Sequence, residues 1–366
     1  MNYKIAVVAG DGIGQEIITE TMRVMNQVGK VFGHQFQFEE CCAATAAVEK
    51  FGDPLPEESL RQCKESDAVL LGNIWLDTYL DLPKEKRPNY ALIALRKNLA
   101  LKTNIRPAFI LPSVAEFCPL KESVIADGMD ILMLRDLAGG MIMSEKYRGM
   151  NQDGREAFDK EYYNEEMIKV SARNAFEFAR QRRKKVTSLD KAVILESSKL
   201  WREIVTEVAA EYPDVQLEHM YVDDAAKKII ENPGNFDVIV TTNVFGDIIS
   251  DEITALVGAT SLLPAASLNS NGKGIFETNQ LHNHNREMVG KNTANPIGSI
   301  LSGAMMLSYS FQLEQEGKII EKAVADVLAA GYATPDIYSP GKTLVGTKEL
   351  GTKIADHIGQ LKKEFV

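Results

Sequence analysis

Asp247 and Asp251 stand four residues apart in the run Asn-Val-Phe-Gly-Asp-Ile-Ile-Ser-Asp, residues 243 to 251, directly after the apolar segment 236–242. On a helix that spacing puts both carboxylates on one face, one turn above the other. Two hard oxygen donors at a strand-to-helix junction suit Mg²⁺ or Mn²⁺, which keep water and recruit a substrate oxygen to complete an octahedron. The same spacing suits a solvated helix face, with Asp247 favoured near the helix N-terminus by the dipole. Neighbouring elements have to decide between the two.

Those elements alternate between strand and helix. Apolar, β-rich runs fall at 4–8, 68–71, 130–134, 192–195, 217–222 and 238–242. Between them lie helix-period segments, clearest over 164–180, where Ile168, Ala172, Ala175, Phe176 and Ala179 share one stripe. Alternating β and α implies a sheet covered by helices, an α/β fold. Gly10-Asp11-Gly12-Ile13-Gly14 reads G-x-G-x-G and not the G-x-G-x-x-G of a classical Rossmann domain, so a tight strand-to-helix turn is expected there.

Composition bounds the rest. The 366 residues allow two domains or one large unit, and 45% hydrophobic with 25% charged residues is ordinary for a globular chain. A net charge of −10 argues against a nucleic-acid partner but not against an anionic substrate, since a local arginine cluster dominates at short range. Cys41, Cys42, Cys63 and Cys118 show no zinc-type spacing and no disulfide framework, which suits a reduced compartment. Met1 leads straight into an expected strand and no apolar run approaches membrane-spanning length, so no membrane association and a cytoplasmic location are expected.

Further segments follow one another in a set order. Asp11-Gly12-Ile13-Gly14 is followed by Ala94-Leu95-Arg96-Lys97, Asn104-Ile105-Arg106-Pro107 and Leu134-Arg135-Asp136-Leu137. Then come Ser188-Leu189-Asp190-Lys191-Ala192, Glu196-Ser197-Ser198-Lys199-Leu200-Trp201-Arg202, Tyr221-Val222-Asp223, the 243–251 run and Ala294-Asn295-Pro296. From Lys4 to about Thr347 the chain resembles the metal-dependent β-decarboxylating dehydrogenases of 3-isopropylmalate, isocitrate and related acids, on the isopropylmalate side.

The resemblance implies a two-domain isopropylmalate dehydrogenase-like fold with a discontinuous first domain. Mapped here, residues 1–101 plus 259–366 form the cofactor side, and 102–258 the metal, substrate and dimer side. It implies that Arg96, Arg106 and Arg135 clamp the carboxylates of a dicarboxylate substrate, for which planar guanidinium forks are suited. It implies that Asp223 joins Asp247 and Asp251 around the divalent cation, a Lewis acid for the substrate hydroxyl and the enolate left by CO₂. Lys191 matches the lysine that handles the hydroxyl proton, and in the family it and the match of Asp223 reach the site from the partner subunit of a homodimer. Asn89, Leu92 and Ile93 match the pocket for the C3 substituent; Leu92 and Ile93 favour an alkyl group, or else are plain helix-core residues.

Several positions depart from the family pattern. A tyrosine expected seven residues after Arg135 is Ile142, which has no proton to give, and Tyr147 is the candidate replacement. The glycine-rich loop near the nicotinamide is Asn73-Ile74-Trp75-Leu76-Asp77, where Ile74 and Trp75 crowd the space unless the loop takes another course. Val193 replaces an asparagine. On the adenosine side the cofactor set is His282, Asn285, Glu287 and Asn295, with Glu287 placed to bind the ribose diol of NAD and to repel a 2′-phosphate. The expected activity is NAD-dependent oxidative decarboxylation of a 3-substituted malate. The alternative is a paralogue that keeps the acid-and-metal site without hydride transfer, either an NAD-independent β-keto acid decarboxylase or a dicarboxylate binder.

Overall fold

The computed structural model describes residues 1–279 and 286–365. The strand–helix alternation of the sequence becomes two α/β units. The first comprises Met1–Ala100, Leu111–Phe117 and Ala259–Val366, and the second Leu101–Ile110 and Cys118–Gly258. The first unit is therefore discontinuous in sequence, and the short segment 111–117 belongs to it.

In chain order the first unit begins with β1 (Asn2–Gly10), α1 (Gly14–Phe32), β2 (Gln35–Glu40), α2 (Ala44–Phe51), α3 (Glu57–Glu65), β3 (Ala68–Asn73) and α4 (Tyr90–Asn98). The second unit supplies β4 (Thr103–Phe109), β5 (Asp130–Asp136), the single turn α5 (Gly140–Met143) and the hairpin β6 (Lys146–Asn151) and β7 (Gly154–Asp159). It continues with α6 (Glu165–Arg180), β8 (Lys185–Asp190), α7 (Glu196–Ala209), β9 (Gln216–Tyr221), α8 (Val222–Glu231), β10 (Val238–Thr241) and α9 (Asn243–Leu256). The first unit is completed by β11 (Pro264–Leu268), β12 (Gly274–Thr278), α10 (Ile297–Tyr309), α11 (Glu314–Ala329) and α12 (Thr347–Phe365).

The first unit's strands run in the order β2-β1-β3-β12-β11, parallel except for the β11/β12 pair. Every residue of β3 is buried, as a parallel strand covered on both faces requires. The turn between β1 and α1 is as tight as its glycines suggest. Gly10 has φ +72°, and a Cβ there would lie 2.0 Å from the carbonyl oxygen of Asn73.

The second unit's strands run β4-β5-β10-β8-β9, with only β4/β5 antiparallel. Its helix α6 follows the expected stripe, burying Ile168, Ala172, Ala175, Phe176 and Ala179. Asn164 caps it by accepting the N–H of Met167 at 3.0 Å, and Glu165 and Glu166 favour its positive end. Loss of that cap costs about 1 kcal/mol.

One expected strand is absent. The apolar run 192–195 is a turn, with the N–H groups of Ile194 and Leu195 both donating to the carbonyl of Lys191 at 3.0 Å. Val193 and Ile194 are exposed, and the strand is instead β8, whose buried polar residues Thr187 and Ser188 interrupt its apolar run. Lys191 therefore follows the C-terminal end of a strand and does not head one.

Candidate active site

Strand pairing builds the first half of the site. In the β4/β5 ladder Asn104 lies opposite Arg135, and Arg106 is two residues beyond Asn104. Alternation along a strand then puts Asn104, Arg106 and Arg135 on one face of the sheet. Helix α9 meets those arginines with Asp247, Ser250 and Asp251.

The result is a connected cluster of ion pairs. Arg106 Nη1 donates to Asp251 Oδ1 at 3.0 Å and to Ser250 Oγ at 2.7 Å, while its Nε donates to Asn104 Oδ1 at 2.8 Å. Its Nη2 lies 3.9 Å from Asp247 Oδ1. Arg135, nearly fully buried, donates to the same Asp247 oxygen. Arg135 is buried and Arg106 half-buried, while the Asp247 and Asp251 side chains are 46% and 78% exposed, so the carboxylates stay open to an incoming ion. Two hard donors one turn apart on α9 fit a small divalent cation.

Lys191 and Asp223 form a second centre in this unit. Parallel pairing places Asp190 beside Tyr221, and each strand ends there. Lys191 donates to the Asp223 carboxylate, and that bond holds Asp223 below the usual carboxylate range. Beneath them, fully buried Asp190 receives Arg202 through both oxygens, Nε to Oδ2 at 2.8 Å and Nη2 to Oδ1 at 2.9 Å. Arg202 and Lys191 both lie over the Tyr221 ring, 5.0 Å and 5.7 Å from its centre. Asp190 and Arg202 stand in the Ser188–Ala192 and Glu196–Arg202 segments without any expected role, and they are the foundation under Lys191. Among the described residues no three metal-ligating side chains come together, so within one chain Asp223 does not join Asp247 and Asp251.

In the first unit, Arg96 on α4 donates from Nη2 to Oε1 of Glu277 at 3.0 Å, and Glu277 is almost wholly buried in β12. Arg96 Nε and Glu277 Oε2 are buried and make no hydrogen bond to another protein group. Of the three pocket positions, Asn89 sits at the N-cap of α4 with no side-chain capping bond and is half-buried, Leu92 is 4% exposed and belongs to the core, and Ile93 is 45% exposed. The apolar surface α4 offers therefore comes from Ile93 and not from Leu92.

The departures also have physical forms. Ile142 lies on α5, exposed. Tyr147 stands on the exposed hairpin, stacked on its cross-strand partner Phe158 with centroids 5.4 Å apart. Its hydroxyl lies over Gly149, where a Cβ would sit 2.2 Å away. The ring thus points toward the hairpin tip and away from the α5 end where Ile142 stands.

The 73–77 loop is held against the turn between β1 and α1. Trp75 donates its backbone N–H to Asp11 Oδ2 at 3.0 Å, Asp11 Oδ1 accepts the N–H of Thr45 at 3.0 Å, and burial pushes the Asp11 carboxyl up. Ile74 points inward and is fully buried, and the Trp75 indole lies over Gly12, where a Cβ would be 2.9 Å from Nε1. Arg286 stacks on Trp75 at 4.6 Å and reaches Asp77 at 2.9 Å. Glu287 is exposed in the short turn 286–288. The Asn295 side chain is buried and occupied, accepting the N–H of Ile297 at 3.0 Å and donating to Asp336 at 3.2 Å. His282 and Asn285 lie outside the described residues.

Comparison with known proteins identifies the family. The family model described as isocitrate/isopropylmalate dehydrogenase matches residues 4–354. The 3-isopropylmalate dehydrogenase of Clostridium acetobutylicum is 48% identical over 349 residues, covering 95% of this chain and 97% of that protein. The 3-isopropylmalate dehydrogenase of Aquifex aeolicus is 45% identical over 364 residues, covering 99% of each. Among solved structures, the isocitrate dehydrogenase of Methylococcus capsulatus matches with a TM-score of 0.82 at 29% identity, over 97% of this chain and 99% of that one. The β-decarboxylating dehydrogenase of Thermococcus kodakarensis in its apo form matches with a TM-score of 0.79 at 31% identity, over 99% and 97%. This chain belongs to the isocitrate/isopropylmalate dehydrogenase family.

Proposed function

We propose that the chain catalyses the NAD-dependent oxidative decarboxylation of 3-isopropylmalate, with Mg²⁺ or Mn²⁺. The observation that carries the reading is the α9 cluster, in which Arg106 and Arg135 face Asp247 and Asp251. Guanidinium forks for carboxylates beside carboxylates for a hard cation are what a hydroxy dicarboxylate held on a metal requires.

Arg106 and Arg135 in the second unit, and Arg96 in the first, are the residues we assign to substrate carboxylates. Ile93 offers apolar surface for an alkyl substituent and Asn89 borders it. Asp247, Asp251 and Asp223 would hold the cation, which when bound supplies Lewis-acid polarisation to the substrate oxygens. Lys191 would take the hydroxyl proton, with Asp223 as its neighbour and Arg202 fixed below it by Asp190. NAD would accept the hydride, and the exposed carboxylate of Glu287 favours it over NADP by repelling a 2′-phosphate, while Arg286 is engaged by Asp77.

Because Asp223, which Lys191 engages, does not join Asp247 and Asp251 within one chain, we infer a homodimer in which each copy completes the other's site. No helix among the described residues is long and apolar enough to cross a membrane, and a cytoplasmic dimer acting on a small dicarboxylate, without nucleic acid, is the setting we propose. The test is NADH formation by the purified chain from 3-isopropylmalate, required to cease when the divalent cation is chelated.

A further inference from the structure

We infer that Asn243 is a positioning residue for Arg135, an assignment that rests on the reading of Arg135 as a carboxylate-binding residue. Asn243 opens α9 and is completely buried. Its Oδ1 accepts from two nitrogens of the same guanidinium, Arg135 Nε at 3.0 Å and Nη2 at 2.9 Å. Its Nδ2 donates to the carbonyl of Gly139 at 3.0 Å, and its backbone N–H donates to the Tyr163 hydroxyl at 2.8 Å.

These partners leave the amide one orientation. Reversed, its NH₂ would face two guanidinium donors and its oxygen would face a carbonyl. Tyr163 secures the other side. It is buried, meets Trp201 edge to face with centroids 5.6 Å apart, and Trp201 Nε1 donates to Ser188 Oγ at 3.1 Å. A packed chain thus runs from the floor of β8 through Trp201, Tyr163 and Asn243 to Arg135.

A planar guanidinium held along its Nε–Nη2 edge cannot swing about its last bonds, and its Nη1 edge stays turned toward Asp247. The choice of a neutral acceptor matters as much as its place. An aspartate at 243 would hold the same edge but neutralise the charge an anionic substrate needs, whereas the amide fixes the fork and leaves the cation whole.

The experiment is a double-mutant cycle on the full-length protein, Asn243→Ala with Arg135→Lys, read by steady-state kinetics and by calorimetric titration of 3-isopropylmalate with Mg²⁺ present. Asn243→Ala should raise KM by about tenfold or more with kcat changed by less than about threefold, because the arginine binds ground and transition state alike. In the Arg135→Lys background, where the fork is gone, the same substitution should change KM by less than about twofold. Should Asn243→Ala fail to fold, Tyr163→Phe carries the test, with a smaller KM rise that again vanishes beside Arg135→Lys. Equal costs in both backgrounds, or a KM unmoved by either variant, overturn the assignment to Asn243 while leaving the proposed activity intact. A wild-type chain that neither binds nor turns over 3-isopropylmalate overturns the activity, and the assignment with it.

Discussion

Arg106 Nη1 lies 3.0 Å from Asp251 Oδ1, so a cation assigned to the substrate is paired with an anion assigned to the metal. Arg135 and Asp247 repeat the relationship one turn away. A divalent cation arriving alone draws two aspartates away from their arginines, and a dicarboxylate arriving alone draws the arginines from the aspartates. Arriving together, each supplies the partner that the other removes. The two ligands should therefore bind with positive coupling, on the order of 1–3 kcal/mol, and by linkage each must strengthen the other by the same factor. Calorimetric titration of 3-isopropylmalate with and without saturating Mg²⁺ should show about a tenfold gain or more. Affinities that ignore each other would mean that the α9 pairs persist in the complex.

Sharing of sites between subunits has its own signature. Lys191→Ala and Asp247→Asn should each be nearly inactive as homodimers. Mixed, unfolded and refolded together, half the dimers should be heterodimers with one intact site, so about a quarter of wild-type activity should return. No recovery, despite heterodimers detected by differential tagging, would place Lys191 and Asp247 in the same subunit's site.

Tyr147 should not deliver the proton to the product carbon. Its ring lies against Phe158 with its hydroxyl over Gly149, on the hairpin that leads away from Ile142. Tyr147→Phe should keep kcat within about threefold of wild type, far from the hundredfold or more expected for loss of a general acid. A fall of that larger size would return the role to Tyr147.

What was legible in the sequence, and what was not, divides along physical lines. The α6 stripe could be read because an amphipathic helix writes its burial in a period of 3.6, and its Asn164 cap is local. The run 192–195 misled because apolar residues also occur in exposed turns, and Val193 and Ile194 sit in one. The spacing of Asp247 and Asp251 predicted a shared helix face, but their pairing with Arg106 and Arg135 comes from the β4/β5 register, which no local pattern encodes. Trp75 looked too large for a glycine's place. The space above Gly12 and the anchor at Asp11, which accommodate it, belong to a turn more than sixty residues earlier in the chain. Asn243 heads the 243–251 run, yet its role depends on Tyr163 and Gly139 from other segments.

Asp136 gives the second unit a pH dependence of unusual sign. Burial pushes its carboxyl up to about 6, only partly offset by the Ser171 hydroxyl and the N–H groups of Gly139 and Ala138. Between the unfolded value near 4 and that figure, the folded chain binds more protons than the unfolded one. The contribution of Asp136 to stability must then fall as pH rises through that window and stay low above it. Urea midpoints of wild type and Asp136→Asn across this range should show wild type losing ground to the variant as pH rises, then a constant difference. The opposite slope would mean that the hydrogen bonds to the carboxylate outweigh its burial.

The most direct experiment supplies the purified chain with 3-isopropylmalate, NAD and Mg²⁺ and measures NADH and CO₂ together. An oxidative decarboxylase should yield equal amounts of both, lost when either NAD or the cation is withheld. Release of CO₂ from the corresponding keto acid at a rate indifferent to NAD, with no NADH formed from 3-isopropylmalate, would contradict that activity.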